Sequence, residues 1–291
     1  MLQHDPDVIC AQEVDHFDDF AKSLASGGYA GLFHKKPKSP CLAHCELEDG
    51  CALWYKTARL ELVSSRVIQY VDPREAKPKA LNQGAQIVLL RVRATGQLLV
   101  VANTHLKAAK TAKGELIRAL QAQQLLDVVA AVKAEAERDH GAGPVPFVIA
   151  GDFNANPTDE GTDSCYRTCV EHPLGIVSAY PTTLEHPKLY TTWKIRGASS
   201  KGASSHGPLC PHPRPLHLPL LSDRDCPRVT HAPALDESDT RNYIDYIFFG
   251  GLPVPVGRLA LPDAGAIGED RLPSAAWPSD HLSLLAVFEM P

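Results

Sequence analysis

The sequence has no long hydrophobic run and no excess of positive charge. No stretch approaches the roughly 20 consecutive apolar residues that cross a bilayer, which argues against a membrane protein built on a spanning helix. Residues 1–6 carry neither a basic segment nor an apolar core, so they show no secretory signal. With 29 basic against 34 acidic side chains, the net charge is −5, which argues against a coat protein that binds nucleic acid through a basic surface. A phosphate-bearing substrate would need a local site, with help from a metal ion.

Cysteine is present, but without the spacing of a zinc finger or a disulfide framework. The eight cysteines form no CxxC pair, and a chain of 291 residues can bury a core without disulfides. One local group, Cys41, His44, Cys45 and Cys51, leaves a zinc site open as an alternative, although no second ligand pair accompanies it. Reduced thiols in an intracellular, cytoplasmic protein are the interpretation we favour.

Short apolar runs alternate with amphipathic segments along the chain. Residues 17–24 have helical spacing and stop at two glycines, and residues 114–138 carry a wide apolar stripe that predicts a long helix. We expect Lys113 and Arg118 to lie on the solvated face of that helix. Strands are predicted over residues 8–11, 51–55, 60–63, 86–92, 98–103, 146–150, 243–249 and 281–288.

One segment interrupts this alternation. Residues 197–239 hold seven prolines, six serines and four histidines with hardly any apolar periodicity. Such a composition predicts a disordered insertion rather than a packed unit. We therefore expect a single domain over residues 1–291 that contains one insertion.

Polar side chains that can do chemistry lie at or near the ends of several of the predicted strands. They are Glu13, His105, Asp152, Asn154, Asp245, Asp280 and His281. No cysteine or triple-histidine set is available for zinc catalysis, whereas oxygen-rich groups suit Mg²⁺, with Mn²⁺ as the alternative. Each of these residues alone is a weak signal of a catalytic site, because an acidic residue after a strand is often a helix cap.

Taken together and in this order over residues 13–281, these residues resemble the site residues of the endonuclease/exonuclease/phosphatase superfamily. The resemblance is narrowed to the nocturnin and carbon-catabolite-repressor deadenylase branch by DGCAL at 49–53, THLKA at 104–108, YTTWKIR at 190–196, RLPS at 271–274 and PSDH at 278–281. It implies an α/β fold, a four-layer α/β/β/α sandwich in which two packed mixed sheets are flanked by helices. Family members begin with a strand bearing a Trp-Asn-Ile-Leu-like motif, and we expect that strand to be missing here.

The resemblance also implies roles for the site residues. Glu13 would be the principal Mg²⁺ ligand, with Asp280 as a second acidic contributor. His281 would contact the scissile phosphoryl group and be oriented by Asp245, the usual kind of partner for a working histidine. Asp152 would activate the attacking water or manage the leaving-group proton.

Further residues would bind the substrate and its developing charge. Asn154 would donate to the phosphoryl oxygens, His105 would add positive charge beside them, and Asn82 would approach the phosphate. Three lysines could hold a second phosphate: Lys56, Lys107 and Lys110. Trp193 could stack on a base or, equally, pack in the core.

The function implied is Mg²⁺-dependent hydrolysis of a phosphoester in an adenine-containing substrate. The leading hypothesis is a 3′-to-5′ exoribonuclease that acts on poly(A) RNA. A close alternative that the resemblance implies is removal of the 2′-phosphate from NADP(H), because the strongest motif matches are to the nocturnin-like branch. The acidic net charge also favours a small substrate over a long polyanion. A third hypothesis is an inactive scaffold that binds protein partners through the proline-rich insertion.

Overall fold

A computed structural model describes residues 2–44, 47–159, 164–195, 220–221, 239–252 and 254–290. The chain divides into two compact units. The first unit comprises Met1–Ala155, Asp159–Ala179 and Asp245–Leu252, and the second comprises Asn156–Thr158, Tyr180–Ile244 and Pro253–Pro291. The prediction of a single domain stays a prediction. The predicted insertion at 197–239 lies outside the described residues except for 220–221 and 239.

The described elements are named here in chain order. The strands are β1 (Val8–Val14), β2 (Tyr29–Lys35), β3 (Gly50–Lys56), β4 (Leu60–Asp72), β5 (Lys79–Val92), β6 (Leu98–His105), β7 (Phe147–Asp152), β8 (Val177–Ser178), β9 (Thr192–Ile195), β10 (Leu220–Leu221), β11 (Asp239–Asn242), β12 (Asp245–Gly250), β13 (Gly257–Leu259) and β14 (Ala286–Val287). The helices are α1 (Phe17–Ala25), α2 (Ala112–His140), α3 (Cys165–Val170) and α4 (Ala264–Ile267). None of the described helices is long and apolar enough to cross a membrane.

The first unit contains two β-sheets. One is antiparallel with the order β1-β3-β2, and α1 packs against β2. The other has the order β4-β5-β6-β7-β12-β8, in which β6 and β7 are parallel and the other pairs are antiparallel. Parallel neighbours require a long crossover connection, which α2 provides while it packs on β4, β5 and β6.

The two sheets bury a common apolar core. Leu53 of β3 packs with Val88 and Leu90 of β5 and Val101 of β6, and all four side chains are almost inaccessible to solvent. Helix α1, the first sheet, the second sheet and α2 are therefore stacked in that order. The predicted four-layer α/β/β/α sandwich is confirmed.

The ends of α2 follow from local chemistry. The Thr111 hydroxyl accepts a hydrogen bond from the Gly114 N–H at 3.0 Å and caps the first turn. Gly141 ends the helix in the left-handed region with φ at 58°, where a residue without Cβ has no steric cost. The long helix predicted from the apolar stripe is confirmed, with two residues added at each end of the predicted 114–138.

Several strand bounds needed correction, and one strand was missed. The strand predicted at 60–63 continues to Asp72, and the one predicted at 281–288 is limited to Ala286–Val287 among the described residues. Strand β2 was missed, because its sequence YAGLFHK has no regular alternation of apolar and polar residues.

The second unit contains a β9–β11 pair and a three-stranded sheet with the order β10-β13-β14. Its apolar cluster is formed by Tyr190, Trp193, Ile267, Leu272 and Leu282.

Candidate active site

Three neighbouring strands of the six-stranded sheet place ionisable side chains in one row. His105 at the end of β6 is in register with Asp152 at the end of β7, and Asp245 at the start of β12 faces Asp152 from the other side. His105 Nε2 lies 3.6 Å from Asp152 Oδ2. One carboxylate oxygen of Asp152 lies within 4.8 Å of one from Asp245. The predicted convergence of these three strand-end residues is therefore seen in the structure.

Glu13 reaches this row from the other sheet. The regular pairing of β1 with β3 breaks between Ala11 and Val14, and Glu13 lies in this bulge with a left-handed φ of 55°. Its Oε1 is 4.0 Å from His105 Nδ1, and 68% of its side chain is exposed. His105 is thus held between two carboxylates, one of which is open to solvent.

Asn154 lies just after β7 and is tied to the same row. Its backbone is also left-handed, with φ at 53°. Its N–H donates to Asp152 Oδ1 at 2.8 Å, and its Nδ2 donates to the Leu106 carbonyl at 3.1 Å. Left-handed backbone at residues other than glycine is uncommon and clusters at functional sites. Its occurrence at both Glu13 and Asn154 therefore supports a functional site at this edge of the sheet.

A shallow pocket beside Glu13 and His105 is lined by charged and amide side chains. Its lining residues are Glu13, His34, Lys36, Asp49, Gly50, Cys51, Asn82, Gln83, Gly84 and His105. Asp49 is nearly inaccessible, and its carboxylate accepts hydrogen bonds from Lys36 Nζ at 2.5 Å and from the Ser39 hydroxyl. Burial alone would raise the pKa of Asp49, but the bonds from Lys36 and Ser39 bring the pKa below its ordinary value.

Lys36 and Asp49 were not singled out as site residues from the sequence. Asp49 belongs to the DGCAL segment that carries the family resemblance, and Lys36 lies among two other lysines and two prolines in a stretch with no motif. The pairing of β2 with β3 is what brings the two residues together. It places Lys35 opposite Gly50, so the neighbouring Lys36 and Asp49 lie at the same edge of the first sheet.

The pocket also contains a buried thiol. Burial raises the pKa of Cys51 to about 12, so this thiol stays protonated at neutral pH. Cys41 is a free thiol, while Cys45 and the side chain of His44 lie outside the described residues. The zinc site left open by the sequence stays a prediction, and carboxylate and imidazole groups form the row of His105, Asp152 and Asp245.

Asn82 reaches the pocket but uses its amide on the backbone. Its Oδ1 accepts from the Lys38 N–H at 2.6 Å, and its Nδ2 donates to the Lys38 carbonyl at 2.8 Å. The side chain therefore anchors the segment that follows β2 and carries Lys36. Its predicted contact with a phosphate stays a prediction.

The segment between β6 and α2, which carries Lys107 and the exposed Lys110, is fixed by buried polar side chains of α2. Arg118 is only 4% exposed, and its Nη1 donates to the carbonyls of Lys107 and Ala109, both at 2.8 Å. Gln121 is inaccessible, and its Oε1 accepts from the Lys107 N–H at 3.0 Å. The expectation that Arg118 lies on the solvated face was wrong, whereas Lys113 is exposed as expected.

Lys56 is not brought to this edge. It ends β3, whereas Gly50 at the other end of the same strand lines the pocket. A strand rises roughly 3.3 Å per residue, so the two ends lie roughly 20 Å apart. Its ammonium pairs with Asp5 and lies 5.4 Å from the ring centre of Tyr29. The assignment of Lys56 to a second phosphate is corrected accordingly.

The remaining predicted residues belong to the second unit. Asp280 pairs with Lys194 through Oδ2, and its Oδ1 lies 4.0 Å from His281 Nε2. Its backbone carbonyl accepts the Thr192 hydroxyl at 2.7 Å. Burial would raise the pKa of Asp280, but Lys194 and then His281 bring the pKa below its ordinary value. Lys194, which sequence reasoning missed, is thus the ionic partner of a predicted metal-site residue.

Trp193 is a core residue of the second unit. It is 1% exposed, and the guanidinium groups of Arg241 and Arg271 lie 3.9 and 4.4 Å from its ring centre. Tyr190 meets it edge-on at 5.6 Å. Of the two interpretations of Trp193, the structure supports core packing, and base stacking is not supported.

Comparison with known proteins identifies relatives over the whole chain. The model of the Endonuclease/Exonuclease/phosphatase family matches residues 1–281. Nocturnin of Xenopus laevis is 35% identical over 295 residues, covering 99% of this chain and 62% of the relative. The CCR4-Not complex 3′-5′-exoribonuclease subunit Ccr4 of Yarrowia lipolytica is 26% identical over 328 residues, covering 99% of this chain and 42% of the relative. The chain thus spans less than two thirds of the length of either.

A solved structure is similar over the same extent. The human Nocturnin catalytic domain with bound sulfate anion superposes with a TM-score of 0.68 at 28% identity, covering 99% of this chain and 82% of that one. The family match, the relatives and the fold agree with one another. The chain belongs to the endonuclease/exonuclease/phosphatase family, in the branch that contains nocturnin and Ccr4.

Proposed function

We propose that this chain is a divalent-metal-dependent phosphoester hydrolase that removes nucleotides from the 3′ end of poly(A) RNA. The observation that carries the proposal is the row of His105, Asp152 and Asp245 with Glu13 facing it from the second sheet. Phosphoryl transfer is catalysed mainly by positioning and charge neutralisation, and such a row supplies both. The family and the name of the Ccr4 relative, an exoribonuclease subunit, support the reaction type. A cytoplasmic location is part of the proposal.

The donor chemistry fits Mg²⁺ or Mn²⁺. These ions prefer oxygen ligands and bind through one or two carboxylates while keeping several waters. Glu13 offers an open carboxylate, and Asp280 is the other acid that the resemblance assigns to the ion. When bound, the ion would neutralise charge on the phosphoryl oxygens and orient the substrate.

The protein groups have separate tasks in this proposal. Asp152 accepts the proton of the attacking water, and the Asn154 N–H that donates to its Oδ1 holds the carboxylate in place. His105, held between Glu13 and Asp152, donates a hydrogen bond to a phosphoryl oxygen. The fixed loop after β6 presents Lys107 to the phosphate backbone. The pairing of Asp245 with His281 stays a prediction.

A second candidate reaction is removal of the 2′-phosphate from NADP(H). The chain is acidic overall, with a net charge of −5, whereas binding of a long polyanion draws affinity from basic surface. A small dinucleotide requires only the local cations, of which Lys36 lies in the pocket beside Glu13. An inactive scaffold is the third candidate; the insertion on which it depends lies outside the described residues.

One assay separates these candidates. The chain is incubated with Mg²⁺ and either oligo(A) RNA or NADPH, and shortened RNA and free phosphate are measured. Shortened RNA with intact NADPH supports the exoribonuclease, and phosphate release from NADPH supports the phosphatase. Turnover of neither substrate by a chain that binds no Mg²⁺ would favour the scaffold.

We predict that Glu13→Gln abolishes turnover while the fold is retained. The substitution keeps the shape of the side chain but removes its charge, so the ion loses its principal ligand. A matched control is Glu61→Gln, an exposed acid of β4 that lies outside the row. Near-wild-type turnover by Glu13→Gln, with circular dichroism unchanged, would contradict the assignment of Glu13.

A further inference from the structure

A buried amide connects the two sheets through the two residues that precede Glu13. Asn103 of β6 is inaccessible to solvent. Its Nδ2 donates to the carbonyl of Ala11 in β1 at 3.1 Å and to that of Ala52 in β3 at 2.8 Å, and its Oδ1 accepts from Gln12 Nε2 at 2.7 Å. Both hydrogens and the oxygen of one side chain are therefore used on the sheet opposite its own.

These contacts lie at the edge of the bulge in the β1–β3 pairing. Ala11 and Ala52 form the last regular pair before the bulge, and regular pairing resumes only at Val14 and Gly50. Asn103 thus binds β1 at the last residue that pairs regularly with β3. Burying an amide in an apolar core is costly unless its hydrogen-bonding groups are satisfied, and here they are.

Glu13 needs such support. It lies two residues after Ala11 with a left-handed backbone, a conformation that costs free energy and persists only where its surroundings impose it. Its carboxylate is largely exposed, so packing around the side chain does not hold it in place. On its N-terminal side, the bond from Asn103 to the Ala11 carbonyl and the bond from the Gln12 side chain to Asn103 add to the pairing of β1 with β3.

We propose that Asn103 is a positioning residue for metal binding: through Ala11 and Gln12 it sets the backbone of Glu13 so that the carboxylate meets a divalent cation. This inference rests on the proposed function, in which Glu13 is a metal ligand. Groups that orient metal ligands affect affinity or activity by about 10–100-fold when they are replaced.

The test measures Mn²⁺ binding directly, by the loss of the free-ion electron paramagnetic resonance signal, at a temperature well below unfolding. In Asn103→Asp a carboxylate oxygen replaces the amide nitrogen and faces two carbonyls, so we expect Mn²⁺ affinity to fall by about 10–100-fold. Gln12→Met removes one bond of the same network from a partly exposed position, and we expect a smaller loss in the same direction.

The matched control is Gln86→Met. Gln86 is the cross-strand neighbour of Asn103 on β5 and is 3% exposed, but no hydrogen bond joins it to β1 among the contacts described. We expect wild-type Mn²⁺ affinity from this variant. An equal loss in Gln86→Met would show a general response to altered polar groups in the core and would overturn the inference.

The outcomes separate the inference from the proposed function. If Glu13→Gln binds Mn²⁺ as tightly as the wild type, the metal assignment fails. If Glu13→Gln loses affinity while a folded Asn103→Asp keeps it, the positioning role of Asn103 is wrong. If Asn103→Asp does not fold, Gln12→Met decides, and wild-type affinity in that variant overturns the inference.

Discussion

At the residue scale, the pocket of the first unit shows how burial acts on single titratable groups. The half-buried imidazole of His34 packs over Gly84, where an added Cβ would lie 2.5 Å from its Nε2. Burial disfavours the imidazolium and lowers the pKa of His34. Lys36, Asp49 and Glu13 are the charged groups that line the same pocket. His34 therefore links the stability of the fold to pH.

The sign of this linkage can be predicted. In the unfolded chain His34 binds a proton near its ordinary pKa of about 6.5, whereas the folded chain binds it only at lower pH. The unfolded state thus holds more protons between these two values, and the contribution of His34 to stability is full above pH 6.5 and declines as the pH falls below it. Urea unfolding from pH 5 to 7.5 should show a shallower pH dependence for His34→Gln than for the wild type. Parallel curves would contradict this prediction.

At the element scale, α2 does more than cover a sheet. Arg118 bonds two carbonyls of the segment after His105, and its other nitrogens bond Glu115, whose second oxygen accepts the Cys165 N–H at 2.7 Å. Gly114 permits the close contact, because a Cβ there would lie 2.1 Å from the Ala109 carbonyl. The first turns of α2 thus fix the conformation of the loop that carries Lys107.

Removal of the guanidinium should disturb both stability and turnover. Arg118→Met leaves Glu115 without its cationic partner, and breaking a buried ion pair costs about 3–5 kcal/mol. Urea unfolding measures this loss, and we expect kcat to fall as well because the loop beside His105 loses its anchors. Lys113→Ala, on the exposed side of the same helix, should change stability by about 0.5 kcal/mol or less. Equal effects of the two substitutions would contradict the role given to Arg118.

The arrangement of strands and helices explains which site residues could be located from the sequence and which could not. The strand-end positions of His105 and Asp152 were predictable, because apolar runs locate strands and a polar residue after such a run marks its end. Asp245 instead lies at the start of β12, two residues inside the strand predicted at 243–249. Lys56 was misplaced because residue type does not reveal which end of a strand faces the site. Arg118 was misplaced because periodicity treats every charge as solvent-facing, whereas a guanidinium can be buried when carbonyls and a carboxylate surround it.

At the scale of the whole molecule, cation binding should add to the free energy of folding. A ligand that binds only the folded state stabilises it by about 2.7 kcal/mol at 100 times its dissociation constant. For a chain of this size we expect Mg²⁺ to raise the midpoint of thermal unfolding by several degrees. Differential scanning calorimetry with and without Mg²⁺ measures the shift. The same increase in Glu13→Gln would indicate that the ion binds elsewhere.

The left-handed backbone at Glu13 has a consequence for how this position can change. Glycine adopts that conformation without steric cost, so it would relieve the strain that Glu13 carries, yet it has no carboxylate. Stability and metal binding therefore favour different residues at position 13. Screens that select variants for heat resistance alone would tend to replace Glu13, and the most robust chains recovered in that way would be inactive.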